Sequence, residues 1–176
     1  ALMRDAAYES LLRSERVRLH RAVGSALELS AEHGETVAAE LLAMHFRAGE
    51  QPALALAQYS KAGAEAMRRG ASREAADSLR AALTLVDAAL AGPEAAERRL
   101  ELTIQLGNAL LAASGYAAPE TRECWGQAQR LARDVDRHGP SLRSRSASTP
   151  PPRRFSAQQV IDREQDFIAW AADHDA

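Results

Sequence analysis

The sequence predicts an all-α protein built from antiparallel helical hairpins, and three observations carry the prediction. Small residues recur at helical spacing on both sides of one short break, in the series Tyr59, Ala62, Gly63, Ala66, Gly70, Ala75, Leu79, Ala82. Apolar residues make up 46% of the 176-residue chain but aromatic residues only 5%, so Ala and Leu dominate the core and helix-on-helix packing is favoured. No segment shows the apolar–polar alternation of a strand.

The elements follow in order. Met3 to Leu12 form a short helical pattern. Ser14 is positioned to cap a helix running to about Leu29, with Leu19, Val23, Ala26 and Leu27 on one face. His33-Gly34 breaks it. A third helix runs from Thr36 to Ala48, with Leu41, Met44, His45 and Ala48 at helical spacing. Gly49-Glu50-Gln51 turns the chain, and Pro52 suits the first position of a fourth helix reaching Arg69. Gly70 ends that helix and Ser72 caps a fifth, expected to continue to Leu90 with a stripe of Ala75, Leu79, Ala82, Leu83, Val86 and Leu90. Gly92-Pro93 makes the next break. A sixth helix covers Glu94 to Ala113, and Ser114-Gly115 stops it. Pro119 starts a seventh, with Thr121, Trp125, Ala128, Leu131 and Val135 facing inward, and His138-Gly139-Pro140 is expected to end it.

Composition then shifts. Residues 139–155 are rich in Gly, Pro, Ser and Arg and carry no acidic residue, which predicts a disordered linker. Ser156 opens a capping box with Gln159, ahead of an amphipathic helix bearing Val160, Ile161, Phe167, Ile168 and Ala171. The organisation expected is therefore a helical region over 1–50, hairpin repeats over 51–138, a linker over 139–155 and a C-terminal helix over 156–176.

Two helices approach to about 8–10 Å when small side chains line their contact. Gly63 and Ala75 should face each other, Ala66 and Ala82 keep the interface shallow, and Tyr59 and Leu79 fill the spaces between. This pattern resembles the tetratricopeptide (TPR) repeat, which implies stacked hairpins in a short right-handed solenoid. Leu106, Gly107 and Leu110 with Trp125 and Ala128 supply a second unit, whose turn is about two residues longer than the family spacing. The region 14–48 could supply a degenerate hairpin before the first clear repeat. A generic Ala-rich helical bundle is the alternative.

A further resemblance rests on ordered short motifs. They are Arg4-Asp5-Ala6-Ala7-Tyr8-Glu9-Ser10-Leu11-Leu12, then Arg16 and Leu19-His20-Arg21, then Glu40-Leu41-Leu42-Ala43 with His45-Phe46, Ala48-Gly49, and Ala62-Gly63 with Ala66. Glu101-Leu102, Leu106-Gly107, Ala109-Leu110 and Gly115-Tyr116-Ala117-Ala118-Pro119-Glu120 close the set. Together, over residues 1–137, they resemble the segment after the ATPase and winged-helix part of large bacterial signalling ATPases with TPR tails. Such proteins include ATPases fused to class III adenylate or guanylate cyclase domains and related transcriptional activators. The resemblance implies a fragment of a cytoplasmic, ATP-binding parent, with ATP and Mg²⁺ held upstream of Ala1. The chain departs from that pattern after Leu131, where the linker and final helix replace further repeats.

Chemistry of its own is hard to find. There is no Gly-x-x-x-x-Gly-Lys-Ser/Thr loop, and the one lysine, Lys61, lies mid-helix. No pair of cyclase-type metal-binding carboxylates is recognisable. His20 and His45 lie beside apolar faces and read as core-edge histidines with hydrogen-bond partners; a metal site would need converging ligands. Cys124, the single cysteine, reads as a small buried residue, since no base is placed beside it and no disulfide can form within the chain. A net charge of −2 favours neither nucleic acid nor acidic membranes, and Arg143, Arg145, Arg153 and Arg154 lack the interleaved aromatics of a nucleic-acid binder.

The expected role is a non-enzymatic interaction and signal-sensing scaffold without a cofactor in this segment. Its partner would be a protein or peptide in a helical groove, or the ATPase part in cis. The groove face should carry Ala57, Ser60, Ala64, Met67 and Arg68, then Ile104, Asn108 and Leu111. Ser60, Arg68 and Asn108 are the polar candidates for contact. The alternative is a stand-alone module that oligomerises through exposed Trp125 and Leu131.

Overall fold

A computed structural model describes residues 11–142. These residues are all-α: the helices are α1 (Arg13–Glu32), α2 (Ala39–Ala48), α3 (Pro52–Arg68), α4 (Ser72–Leu83), α5 (Val86–Ala89), α6 (Gly92–Ser114) and α7 (Pro119–Leu142). No strand occurs among them. The expected helix over Met3–Leu12 falls almost wholly outside the described residues. So do most of the 139–155 linker and the C-terminal helix over 156–176.

The chain divides into two compact units, one ending at Ala89 and one beginning at Leu90. In the first, α1 packs on α2, α2 on α3, and α3 on both α4 and α5. In the second, α6 packs on α7.

Glycine on one helix admits a large side chain from the next in three pairs. A Cβ built on Gly24 of α1 would lie 3.0 Å from the Phe46 ring of α2, and one on Gly63 of α3 would lie 2.8 Å from Leu79 Cγ of α4. A Cβ on Gly107 of α6 would lie 2.8 Å from the Trp125 indole of α7. The expected Gly63–Ala75 approach is present, with Ala75 offering its carbonyl oxygen 3.5 Å away, but Leu79 is the closer neighbour. Ala66, Ala75, Leu79 and Ala82 are all buried, as the small-residue series requires.

The first three helices end alike. The N–H groups of Gly34 and Glu35 donate back to Ala31 and Ser30, those of Glu50 and Gln51 to Arg47 and Phe46, and those of Gly70 and Ala71 to Met67 and Ala66. This double bond-back satisfies carbonyls at the helix end and puts one residue in the left-handed region. Gly34 and Gly70 take that position, and at the end of α2 it falls on Glu50, with φ 54°, not on Gly49. Gly49 serves the helix contact instead: a Cβ there would meet Arg21 Cγ at 3.0 Å, and Arg21 Nε donates to the Gly49 carbonyl at 2.6 Å.

Several local expectations are corrected. α1 starts at Arg13, so Ser14 lies inside its first turn; Glu15 caps it by accepting the Leu12 N–H at 3.2 Å. Ala71, not Ser72, precedes α4. The inward face of α1 carries buried Gly24 and half-buried Leu27, while Leu19 and Val23 are exposed. On α2 the buried residues are Ala39, Leu42, Ala43 and Phe46, while Leu41 and Met44 are exposed. The expected helix to Leu90 is interrupted at Thr84-Leu85, where the Thr84 hydroxyl donates to the Ala81 carbonyl and competes with the backbone ladder. α7 runs on through Gly139 and Pro140 to Leu142. A proline removes one backbone bond there, but its fixed φ is itself helical.

The second unit has its own core. Leu100, Trp125, Ala128 and Ala132 are buried together, with Ile104, Leu131 and Val135 packed against them. Trp125 is only 4% exposed and Leu131 is half-buried, so they form no exposed pairing surface. Two polar bonds stitch α6 to α7: Thr121 Oγ1 donates to the Gly115 carbonyl at 3.0 Å, and Cys124 Sγ donates to the Thr103 carbonyl at 3.4 Å.

Candidate functional site

The face of α3 singled out from sequence is open. Ala57, Ala64 and Arg68 are exposed, and Ser60 and Met67 are half-buried. The Ser60 hydroxyl donates to the Leu56 carbonyl one turn back at 2.7 Å, so its hydrogen is committed to its own helix and its lone pairs face outward. In the second unit Ile104, Asn108 and Leu111 are half-buried on α6.

A cleft of about 380 Å³ lies elsewhere in the first unit. The segment Thr36–Ala38 and the start of α2 form one wall; Ala62, Glu65 and Ala66 of α3, Arg69 just past its end, and Glu74 and Ser78 of α4 form the other. Residues 62, 65, 66 and 69 lie about half a turn round α3 from the Ser60–Arg68 face, at roughly 100° per residue. The cleft therefore does not include Ser60 or Arg68. Its charged lining is Glu40, Glu65 and Glu74 against Arg69, and Arg69 pairs with Glu74 at 3.3 Å. Both partners of that pair are exposed, so it orients more than it stabilises.

A third feature joins α1 to α2. Nδ1 of His20 lies 3.1 Å from Nδ1 of His45, with ring centroids 5.1 Å apart and planes inclined by 46°. One Nδ1 carries the shared hydrogen and the other accepts it. Burial, reinforced by the charge His20 would bring, holds the His45 imidazole below its ordinary pKa. Each histidine was expected at a core edge with a hydrogen-bond partner; that they partner one another is visible only in the fold. The signal pointing to it was Gly24, a helix-interior glycine on a helix of the same hairpin, which marks close approach.

His33 Nδ1–H donates to the Leu29 carbonyl at 2.6 Å and is occupied in ending α1. Cys124 is buried. Among the described residues no three His, Cys, Asp or Glu side chains group to hold a metal ion, and no helix is long and apolar enough to cross a membrane. Comparison with protein-family models, with curated proteins and with solved structures returned no match.

Proposed function

We propose that the chain is a TPR-like interaction and signal-sensing scaffold, a segment of a larger ATP-binding signalling regulator of the adenylate-cyclase-associated or transcriptional kind. The observation that carries the reading is the recurrent hairpin contact, Gly24 with Phe46, Gly63 with Leu79 and Gly107 with Trp125. Successive hairpins closed in one way are what a repeat scaffold needs, because each presents an outer face while burying the other. The exposed α3 face with Ser60 and Arg68, and Asn108 on α6, would contact a protein or peptide. Binding there would act on a linked ATPase only if the partner prefers one of its two states.

The test begins with the DNA flanking the reading frame. An upstream P-loop ATPase and winged helix would support the reading. ATP hydrolysis by the whole parent protein would then be measured with and without Arg68→Glu and Asn108→Ala. A changed response to partner is expected; a parent lacking the ATPase, or hydrolysis indifferent to both changes, would count against it.

A second reading, a self-associating helical module, draws on exposed apolar side chains of the first unit, Leu19 and Val23 on α1 and Leu41 and Met44 on α2. Light scattering over a concentration series distinguishes it: a mass that rises with concentration favours association.

A further inference from the structure

We infer that His20 and His45 form a two-histidine clamp for a borderline divalent transition metal, Zn²⁺ or Ni²⁺, bridging α1 and α2 through their Nδ1 atoms. The inference is independent of the proposed scaffold role, and neither histidine lines the cleft.

The geometry is that of two neighbouring ligands on one ion. With metal–nitrogen bonds of about 2.0–2.1 Å, cis ligands at a right angle stand about 2.9 Å apart and tetrahedral ligands about 3.3 Å apart. The Nδ1 atoms of His20 and His45 are separated by 3.1 Å, between these limits. A hydrogen bond accounts for the same distance in the metal-free state. Exchange of the shared hydrogen for an ion requires both rings to swing about χ2, a soft torsion for imidazole. The ion binds as the shared hydrogen leaves Nδ1 as a proton to solvent and Nε2 of the same ring takes a proton back, a change of tautomer with no net proton release; each neutral imidazole gives one Nδ1 lone pair and no electron is transferred.

The two ligands come from different helices, 25 residues apart in the chain, so the unfolded chain does not hold them together. Both histidines are half-buried, so solvent reaches the pair and water can complete the coordination shell. Among the described residues no third protein ligand joins them. The site is therefore a clamp of moderate affinity, unlike a closed structural zinc site. An ion that binds only the folded hairpin stabilises it by mass action.

The test is calorimetric titration of the full chain, stripped with EDTA, with NiCl₂ and separately with ZnCl₂. One ion per chain is expected, with affinity reduced at least ten-fold in His20→Gln and in His45→Gln and unchanged in His33→Gln. Because either substitution also removes the hydrogen bond, the unsubstituted protein supplies a second readout. Sub-stoichiometric Ni²⁺ should broaden the ring resonances of His20 and His45 before those of any other histidine. Absence of binding, affinity that survives in His45→Gln, or broadening centred on another histidine would overturn the assignment.

Discussion

Gly107 meets the indole of Trp125 so closely that a Cβ on residue 107 would lie 2.8 Å from ring carbon Cε2 and 2.9 Å from Cζ2. The ring is fixed in the core of α6 and α7 by Leu100, Ala128 and Ala132. It cannot retreat as a flexible chain end could.

Gly107→Ala should therefore destabilise the second unit. Overpacking costs about 1–3 kcal/mol. The helix preference for Ala over Gly returns about 1 kcal/mol. A net loss of up to about 2 kcal/mol is expected in urea denaturation. Adding Trp125→Leu should make the double variant more stable than the two single losses sum to, and strict additivity would show that the contact is not close. Gly24→Ala should cost less than Gly107→Ala, because its nearest atom, a ring carbon of Phe46, stands farther off at 3.0 Å.

Trp125 carries a buried indole N–H with no acceptor among the described residues. Trp125→Phe gives up packing but also removes an unpaired donor, which relieves a desolvation penalty of about 1–3 kcal/mol. The expected change is within about 1 kcal/mol, whereas Trp125→Ala should cost about 3–5 kcal/mol. Equal losses for the two variants in chemical denaturation would show that the N–H is satisfied.

Glu50 holds a left-handed backbone at the end of α2, a conformation that costs a side-chain-bearing residue about 1–2 kcal/mol. Its carboxylate pairs with Arg13 at 2.7 Å, but the two side chains are 50% and 84% exposed, so the pair is worth at most about 1 kcal/mol. Glu50→Gly should raise the melting temperature slightly. Glu50→Ala, which keeps the strain and loses the pair, should not. A gain from Ala matching that from Gly would put the effect in the ion pair and not in the backbone.

The His45 shift sets a pH dependence for the metal-free protein. Folding lowers its pKa below the ordinary value of 6.5, so between those two values the unfolded chain binds more protons than the folded one. Stability is then full above about pH 6.5 and falls as pH drops through the lowered value. In EDTA, His45→Gln should flatten this slope in urea midpoints taken from pH 8 to pH 5. An unchanged slope would assign the acid sensitivity to other groups.

The hairpin over 52–83 was legible because its small residues are informative: Gly63, Ala66, Ala75 and Ala82 leave few ways to pack α3 on α4. The faces of α1 and α2 were not. In α2, Leu41, Leu42, Ala43, Met44 and Phe46 are all apolar, and periodicity cannot choose between stripes one residue apart. Phe46 won because Gly24 makes room for its ring. Helix ends followed Gly34 and Gly70, but serine misled at Ser14 and Ser72, where capping depends on backbone angles the residue type does not fix. The cleft was illegible for another reason. It needs the Thr36–Ala38 segment brought against α3 and α4, a long-range arrangement that no local pattern encodes.

Within each unit, every helix packs on one beside it or next but one in the chain. Most of these helix pairs close short loops, so little chain entropy must be lost before they begin to repay it. Folding on the microsecond-to-millisecond scale follows for each unit, since low contact order is what speeds helical chains. Opening is equally local: one pair of helices can fray while its neighbour keeps its amides protected from exchange. The sequential order of helix packing thus shapes the kinetics of each unit as well as its architecture.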